Sequence, residues 1–164
     1  MYTDGASRGN PGRGGYGVIL ISGDYRKELS QGYKLTTNNR MELMAVIVGL
    51  KALKKEGMKI TIYSDSQYVV KAIEEGWLDT WIKTNFKGGK KNVDLWKEFY
   101  DLSKKHTLRF VWVRGHANNS FNNRCDELAT EAADGTEEEV VLTFKTAASR
   151  RSSRRLVLLT DPLQ

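Results

Sequence analysis

Four carboxylates and one histidine stand among residues that make them candidates for chemistry: Asp4, Glu42, Asp65, Asp126 and His116. Glu42 lies in Met41-Glu42-Leu43-Met44-Ala45-Val46-Ile47-Val48, seven apolar residues around one acid. A run this apolar belongs to a helix buried on most of its circumference. An ionised carboxylate buried there is costly unless a cation or hydrogen bonds compensate it. In the first, solvent-facing turn the helix dipole would favour it instead. Asp4 ends a short extended segment, Tyr2-Thr3-Asp4-Gly5. Asp65 follows a β-branched strand, and binding sites in open α/β sheets cluster at such strand ends. Asp126 lies at the edge of an apolar helical stripe, where a plain surface charge is the alternative. His116 sits in a polar loop, as a solvated side chain or as a proton carrier near its ordinary pKa of about 6.5.

Positioning these groups takes alternating strands and helices. Glycines at 5, 9, 12, 14 and 15 with Asn10-Pro11 supply turn chemistry after the first strand. Val18 to Ile21 reads as a buried strand, Gly23-Asp24 as a hairpin turn, and Lys27 to Leu35 as a half-exposed third strand. The spacing predicts a helix from about Asn39 to Glu56, with Lys51, Lys54 and Lys55 in its last turns and Gly57 as terminator. Gly49 inside it costs about 1 kcal/mol against Ala, and close helix–sheet packing is its rationale. Lys59 to Tyr63 is a strand, the residues from Val69 a helix, Asn92 to Lys105 an amphipathic helix, Leu108 to Val113 a strand. A final helix carries Cys125, Leu128, Ala129, Ala132 and Ala133. Between these, Gly76 to Lys91 interleaves Trp77, Trp81 and Phe86 with Lys83, Lys87, Lys90 and Lys91. Core packing under a solvated lysine loop would account for it. So would a nucleic-acid surface, with rings stacking and lysines neutralising phosphates.

Composition narrows the class. The chain has 164 residues, 40% of them hydrophobic, enough for one domain with a sizeable core. Its net charge of +6 favours an anionic partner. One cysteine excludes an internal disulfide and a cysteine-rich zinc site. No apolar run approaches membrane-spanning length and no targeting signal is visible, so a cytoplasmic protein without membrane association is expected. Residues 136–164 run acidic, apolar, basic and apolar in short blocks. They read as a disordered or loosely docked tail beyond a domain of residues 1–135, with its arginines as an alternative nucleic-acid anchor.

Four motifs stand in order along the chain: Tyr2-Thr3-Asp4-Gly5-Ala6-Ser7-Arg8-Gly9-Asn10-Pro11-Gly12, Thr37-Asn38-Asn39-Arg40-Met41-Glu42-Leu43, Ser64-Asp65-Ser66-Gln67-Tyr68-Val69, and Gly115-His116-Ala117 through Cys125-Asp126-Glu127-Leu128-Ala129. Together they resemble type 1 ribonuclease H of the bacterial kind, over about residues 2 to 134. The resemblance implies an α/β fold with a five-stranded mixed sheet, three antiparallel strands then two parallel ones, flanked by helices. It implies an endonuclease that hydrolyses the RNA strand of RNA–DNA hybrids, largely independently of sequence; a monomer is the default expectation. Asp4, Glu42, Asp65 and Asp126 would then hold two divalent cations, Mg²⁺ or alternatively Mn²⁺, with His116 assisting proton transfer or product release. Two cations can serve both the attacking water and the leaving oxyanion, and carboxylates suit such hard ions. By the same resemblance Asn10, Asn38, Gln67 and Glu42 read the hybrid's minor groove, where 2′-hydroxyls mark RNA. Thr37, Arg40 and Asn92 take a DNA-strand phosphate. Trp77, Trp81, Lys83, Phe86, Lys87, Lys90 and Lys91 form the channel and basic protrusion that grip the DNA strand.

One departure stands out. Only Met1-Tyr2-Thr3 precede Asp4, fewer residues than the family places there, which predicts a truncated central strand or an upstream start, and lower stability. A resolvase- or transposase-like core would also cluster acids on such a sheet, but the Thr37-Asn38-Asn39 segment and the protrusion argue against it. A hybrid-binding module without chemistry fits poorly with all four carboxylates present, and a domain of a reverse transcriptase lacks a recognisable linker.

Overall fold

The computed structural model describes residues 1–115, 118–135, 139–146 and 155–159. Strands β1 (Tyr2–Gly9), β2 (Gly12–Ser22) and β3 (Tyr25–Thr36) form an antiparallel meander. Helix α1 (Asn38–Lys51) follows, then β4 (Lys59–Ser64), α2 (Gln67–Glu74), α3 (Trp77–Lys83), α4 (Val93–Ser103), β5 (Thr107–Trp112) and α5 (Ser120–Ala133). β4 runs parallel to β1, and β5 parallel to β4. The order β5-β4-β1-β2-β3 is the expected five-stranded mixed sheet. Beyond β3 the backbone continues the sheet with β6 (Glu139–Thr146) and β7 (Arg155–Leu159), both antiparallel. Val140-Val141-Leu142-Thr143-Phe144 and Leu156 to Leu159 have strand-forming composition, and the edge of β3 offers them unpaired backbone groups.

The core lies between the sheet and helices α1, α2 and α4, around Leu43, Ile47, Ile62, Val69, Trp96 and Phe99. Trp96 is fully buried and meets Tyr68, Trp81 and Phe99 edge-on at 5.5–5.9 Å. On the other side α5 packs on β1, β2 and β3.

The glycine-rich stretch after Asp4 is strand rather than loop, and only Asn10-Pro11 turns. Its glycines serve close packing. A Cβ on Gly15 would lie 2.7 Å from the Ala129 carbonyl, and one on Gly17 would lie 2.4 Å from the Cys125 carbonyl. A Cβ on Gly49 would strike Met1 Sδ and approach Val18 at 3.2 Å, which bears out the packing rationale for that helical glycine.

α1 stops at Lys51, five residues before the expected end, with Ala52 as C-cap. Leu53 packs on the core there, so the chain turns inward before Lys54 and Lys55. β1 pairs from Tyr2 onward, whereas β2 continues to Ser22. Beside this end of β1 lies a groove of about 890 Å³ lined by Met1, Leu20, Leu53, Ile60 and Phe121 among others.

Candidate active site

Three of the five candidate groups converge at the centre of the sheet. Asp4 lies in β1, Glu42 in the first turns of α1, and Asp65 between β4 and α2. One carboxylate oxygen of each lies within 4.8 Å of the others. Asp4 and Glu42 are each 4% exposed.

Local sequence explains the approach. Thr37 caps α1 by accepting the Arg40 amide at 3.2 Å, which starts the helix just ahead of Glu42. A Cβ on Gly5 would sit 2.4 Å from the Glu42 amide nitrogen, so only glycine lets α1 close on β1 at that level. Ser66 caps α2 by accepting the Val69 amide, which fixes the turn carrying Asp65. Gly115 closes over Asp65, where a Cβ would lie 2.8 Å from Oδ2. Sequence inspection missed Trp112. Its indole N–H donates to the Asp65 carbonyl at 3.2 Å, a contact across 47 residues with no local signature.

Asp126 reaches the same neighbourhood through Gly17. Asp4 pairs with Gly17 across β1 and β2, and the bare face of Gly17 meets α5 at Cys125, the residue before Asp126. Arg124 donates to Glu28 of β3 at 2.9 Å and pins the helix to the sheet. Burial alone would raise the Glu28 carboxyl, but Arg124 and Arg26 outweigh it and hold it below the usual range. Asp126 is half-buried, and its charge acts on Asp4. His116 lies outside the described residues.

Electrostatically the cluster is unbalanced. Burial first, then the charge of Asp65, pushes the Asp4 carboxyl up to about 8; hydrogen bonds from Glu42 and the Gly5 amide work the other way. Burial, then the charges of Asp4 and Asp65, raises Glu42 well above the ordinary carboxylate range. Glu42 Oε2 is buried with no hydrogen-bond partner. An all-oxygen donor set, mutual repulsion and a buried unpartnered carboxylate oxygen fit a divalent hard cation.

A second cluster lies where α1 and α4 begin. Arg40 donates to both oxygens of Asp94, at 3.0 and 2.6 Å, and to Asn92 Oδ1 at 3.4 Å. Asn92 adopts a left-handed conformation with φ 59° and leaves its side chain free of capping. Thr37, Arg40 and Asn92 are thus gathered at the start of two helices. Asp94 and Tyr68 complete that cluster and were missed in the sequence, because both contacts are long-range. At the tip of the first hairpin, Asn10 Oδ1 accepts the Asn38 amide at 3.2 Å. Asn10, Asn38 and Gln67 are all exposed.

The aromatic-basic segment divides by burial. Trp77 is 42% exposed, Trp81 is half-buried against Trp96, and Phe86 is 8% exposed. Phe86 and Asn85 both have positive φ, at 57° and 52°, and burial of the ring anchors that turn. Lys90 Nζ lies 5.6 Å from the Trp81 ring centre. Lys83, Lys87, Lys90 and Lys91 are exposed.

A family model described as RNase H matches residues 1–134. The chain is 56% identical over 137 residues to Ribonuclease H of Syntrophus aciditrophicus (strain SB), covering 81% of this chain and 79% of that protein. It is 58% identical over 145 residues to Ribonuclease H of Lachnoclostridium phytofermentans, covering 82% and 91%. Among solved structures it is similar to LC9-RNase H1, a type 1 RNase H with the type 2 active-site motif. That match has a TM-score of 0.69 at 29% identity and covers 80% of this chain and 70% of the other.

Proposed function

From the premise that the chain belongs to the ribonuclease H family, whose members are hydrolases that cut the RNA of RNA–DNA hybrids endonucleolytically, we propose that it does so with two divalent cations held by Asp4, Glu42, Asp65 and Asp126. Mg²⁺ is the ion of first choice, and Mn²⁺ the alternative. The observation that carries this reading is the convergence of three carboxylates within 4.8 Å around a buried, unpartnered Glu42 oxygen. When bound, the cations supply an activated water and neutralise the oxyanion that leaves.

The chain's own residues do the rest. Asp4 and Asp65, set by a strand and a capped turn, hold their carboxylates without loop motion, so the site is preorganised. Asn10, Asn38 and Gln67 offer amide donors and acceptors to 2′-hydroxyls, with Glu42 accepting from another. Thr37, Arg40 and Asn92 take a DNA-strand phosphate where the α1 dipole also favours an anion. The exposed Trp77 and the lysines from 83 to 91 lie along the DNA strand, with Trp81 and Phe86 supporting them from beneath. Such contacts read sugar and phosphate rather than base edges, so cleavage is largely sequence-independent. His116 serves proton transfer or product release. Among the described residues no helix is long and apolar enough to cross a membrane, and the proposal is a single-chain cytoplasmic enzyme.

The test uses one labelled duplex as RNA–DNA hybrid, RNA–RNA and DNA–DNA, with Mg²⁺. Hybrid-only cleavage of the RNA strand, abolished by Asp65→Asn, is expected. Tight hybrid binding without cleavage, or cleavage of the DNA duplex, would overturn the reading.

A further inference from the structure

Within the cluster where α1 and α4 begin, one member, Tyr68, holds another, Asn92, in place. Tyr68 is the second residue of α2, three residues after Asp65 and one after Gln67. Its hydroxyl oxygen accepts from Asn92 Nδ2 at 3.1 Å and from Trp96 Nε1 at 2.8 Å. Its ring lies edge-on to Trp96, with centres 5.5 Å apart at 62°.

These contacts fix the Asn92 amide. A guanidinium can only donate, so the Asn92 oxygen must face Arg40 and the nitrogen must face Tyr68. Trp96 Nε1 is also only a donor, so the tyrosine oxygen accepts from both. One hydrogen of the Asn92 amide is used this way. The other has no protein partner among the described residues. The left-handed backbone at Asn92 and the absence of a capping bond mean that this side chain is committed to Arg40 and Tyr68 rather than to helix α4.

We propose that Tyr68 is a positioning residue for the DNA-strand phosphate, acting through Asn92. It also couples two sites. The backbone that presents Asp65 continues into the residue that aims Asn92, so the cut strand and the gripped strand are held in one register. This rests on the assignment of Thr37, Arg40 and Asn92 to a phosphate made above.

The experiment measures KM and kcat on an RNA–DNA hybrid for Tyr68→Phe, Asn92→Ala, the double variant and Trp96→Phe, at a temperature where circular dichroism shows all four folded. Tyr68→Phe keeps the ring and removes the acceptor. Its KM is expected to rise about 2- to 10-fold, the equivalent of one hydrogen bond, with kcat and Mg²⁺ dependence unchanged. The double variant should be no worse than Asn92→Ala, because the two act as a unit. The slope of log KM against log salt should not change, since no charge is removed. Trp96→Phe leaves the Asn92 bond intact and should keep KM near that of the unaltered protein. A silent Tyr68→Phe beside an impaired Asn92→Ala would overturn the positioning role and leave the phosphate pocket standing. Independent, multiplying effects, or a Trp96→Phe variant that copies Tyr68→Phe, would also overturn it. A silent Asn92→Ala would remove both this inference and the pocket assignment.

Discussion

Glu42 concentrates the conflict between folding and chemistry in one side chain. It is buried, and one of its oxygens has no hydrogen-bond partner. Without a cation the folded state bears that cost; with one it does not. Glu42→Gln should therefore raise the metal-free stability by about 1–2 kcal/mol in urea unfolding, as relief of active-site strain commonly does. It should lower hybrid cleavage by at least ~10²-fold. Asp4 gives the pH dependence of the same conflict. Its carboxyl is raised to about 8 in the folded chain against an ordinary value of 3.8. The folded state then binds more protons than the unfolded state between these values. This contribution to stability is complete below pH 4 and is lost as pH rises through about 8. The metal-stripped protein should accordingly show a Tm contribution that falls from pH 5 to pH 8 and that Asp4→Asn abolishes. Mg²⁺ should raise Tm more at pH 8 than at pH 5, where protons compete for the carboxylates.

Elements bring the carboxylates together because glycines let helices approach strands. Gly17 pairs with Asp4 and faces Cys125 on α5. Gly17→Ala would place a methyl group 2.4 Å from that carbonyl, so α5 must shift outward. Overpacking of this kind costs about 1–3 kcal/mol, and here it moves Asp126 away from Asp4. The expected outcome is a lower Tm with reduced kcat and nearly unchanged KM, because the residues assigned to hybrid binding lie on other elements. Glu42 and Asp65 were legible as candidates because each departs from its surroundings, an acid in an apolar helix and an acid at a strand end; Asp4 was singled out at an expected strand end that in fact lies at Gly9. The positions of strands along the chain were legible through runs such as Val18 to Ile21 and Lys59 to Tyr63, whereas their order in the sheet came from the family resemblance. The Gly12–Gly17 stretch was not legible, since turn-forming glycine and close-packing glycine look alike until the partner helix is known. Arg40–Asp94, Asn92–Tyr68 and Trp112–Asp65 span 54, 24 and 47 residues, and nothing local in the sequence marks such pairs.

At the scale of the whole molecule, charge is distributed by role. Asp4 and Glu42 are buried and Asp65 is half-buried just past the C-terminal end of β4, while exposed lysines crowd residues 83 to 91. A net charge of +6 attracts any polyanion, so attraction alone does not distinguish the lysine segment from the rest of the surface. Salt dependence does. Each lysine that neutralises a phosphate releases a counterion and adds about 0.7–0.9 to the slope of log affinity against log salt. Lys87 and Lys91 are exposed, and no ion pair joins them to an acid among the described residues. Lys87→Gln and Lys91→Gln should each raise KM on the hybrid at low salt and flatten that slope by about this amount, with kcat retained. Lys59 provides the comparison. It starts β4, at the opposite end of the strand from Asp65, and Lys59→Gln removes the same net charge. If Lys59→Gln flattens the slope equally, the lysines act through a diffuse positive field and the protrusion has no special contact with the DNA strand. If only the pair within the protrusion does so, the contact is local. Trp77 is exposed ahead of these lysines, and if its ring stacks on the same strand, Trp77→Ala should weaken binding about 5- to 100-fold, as loss of one stacked base does.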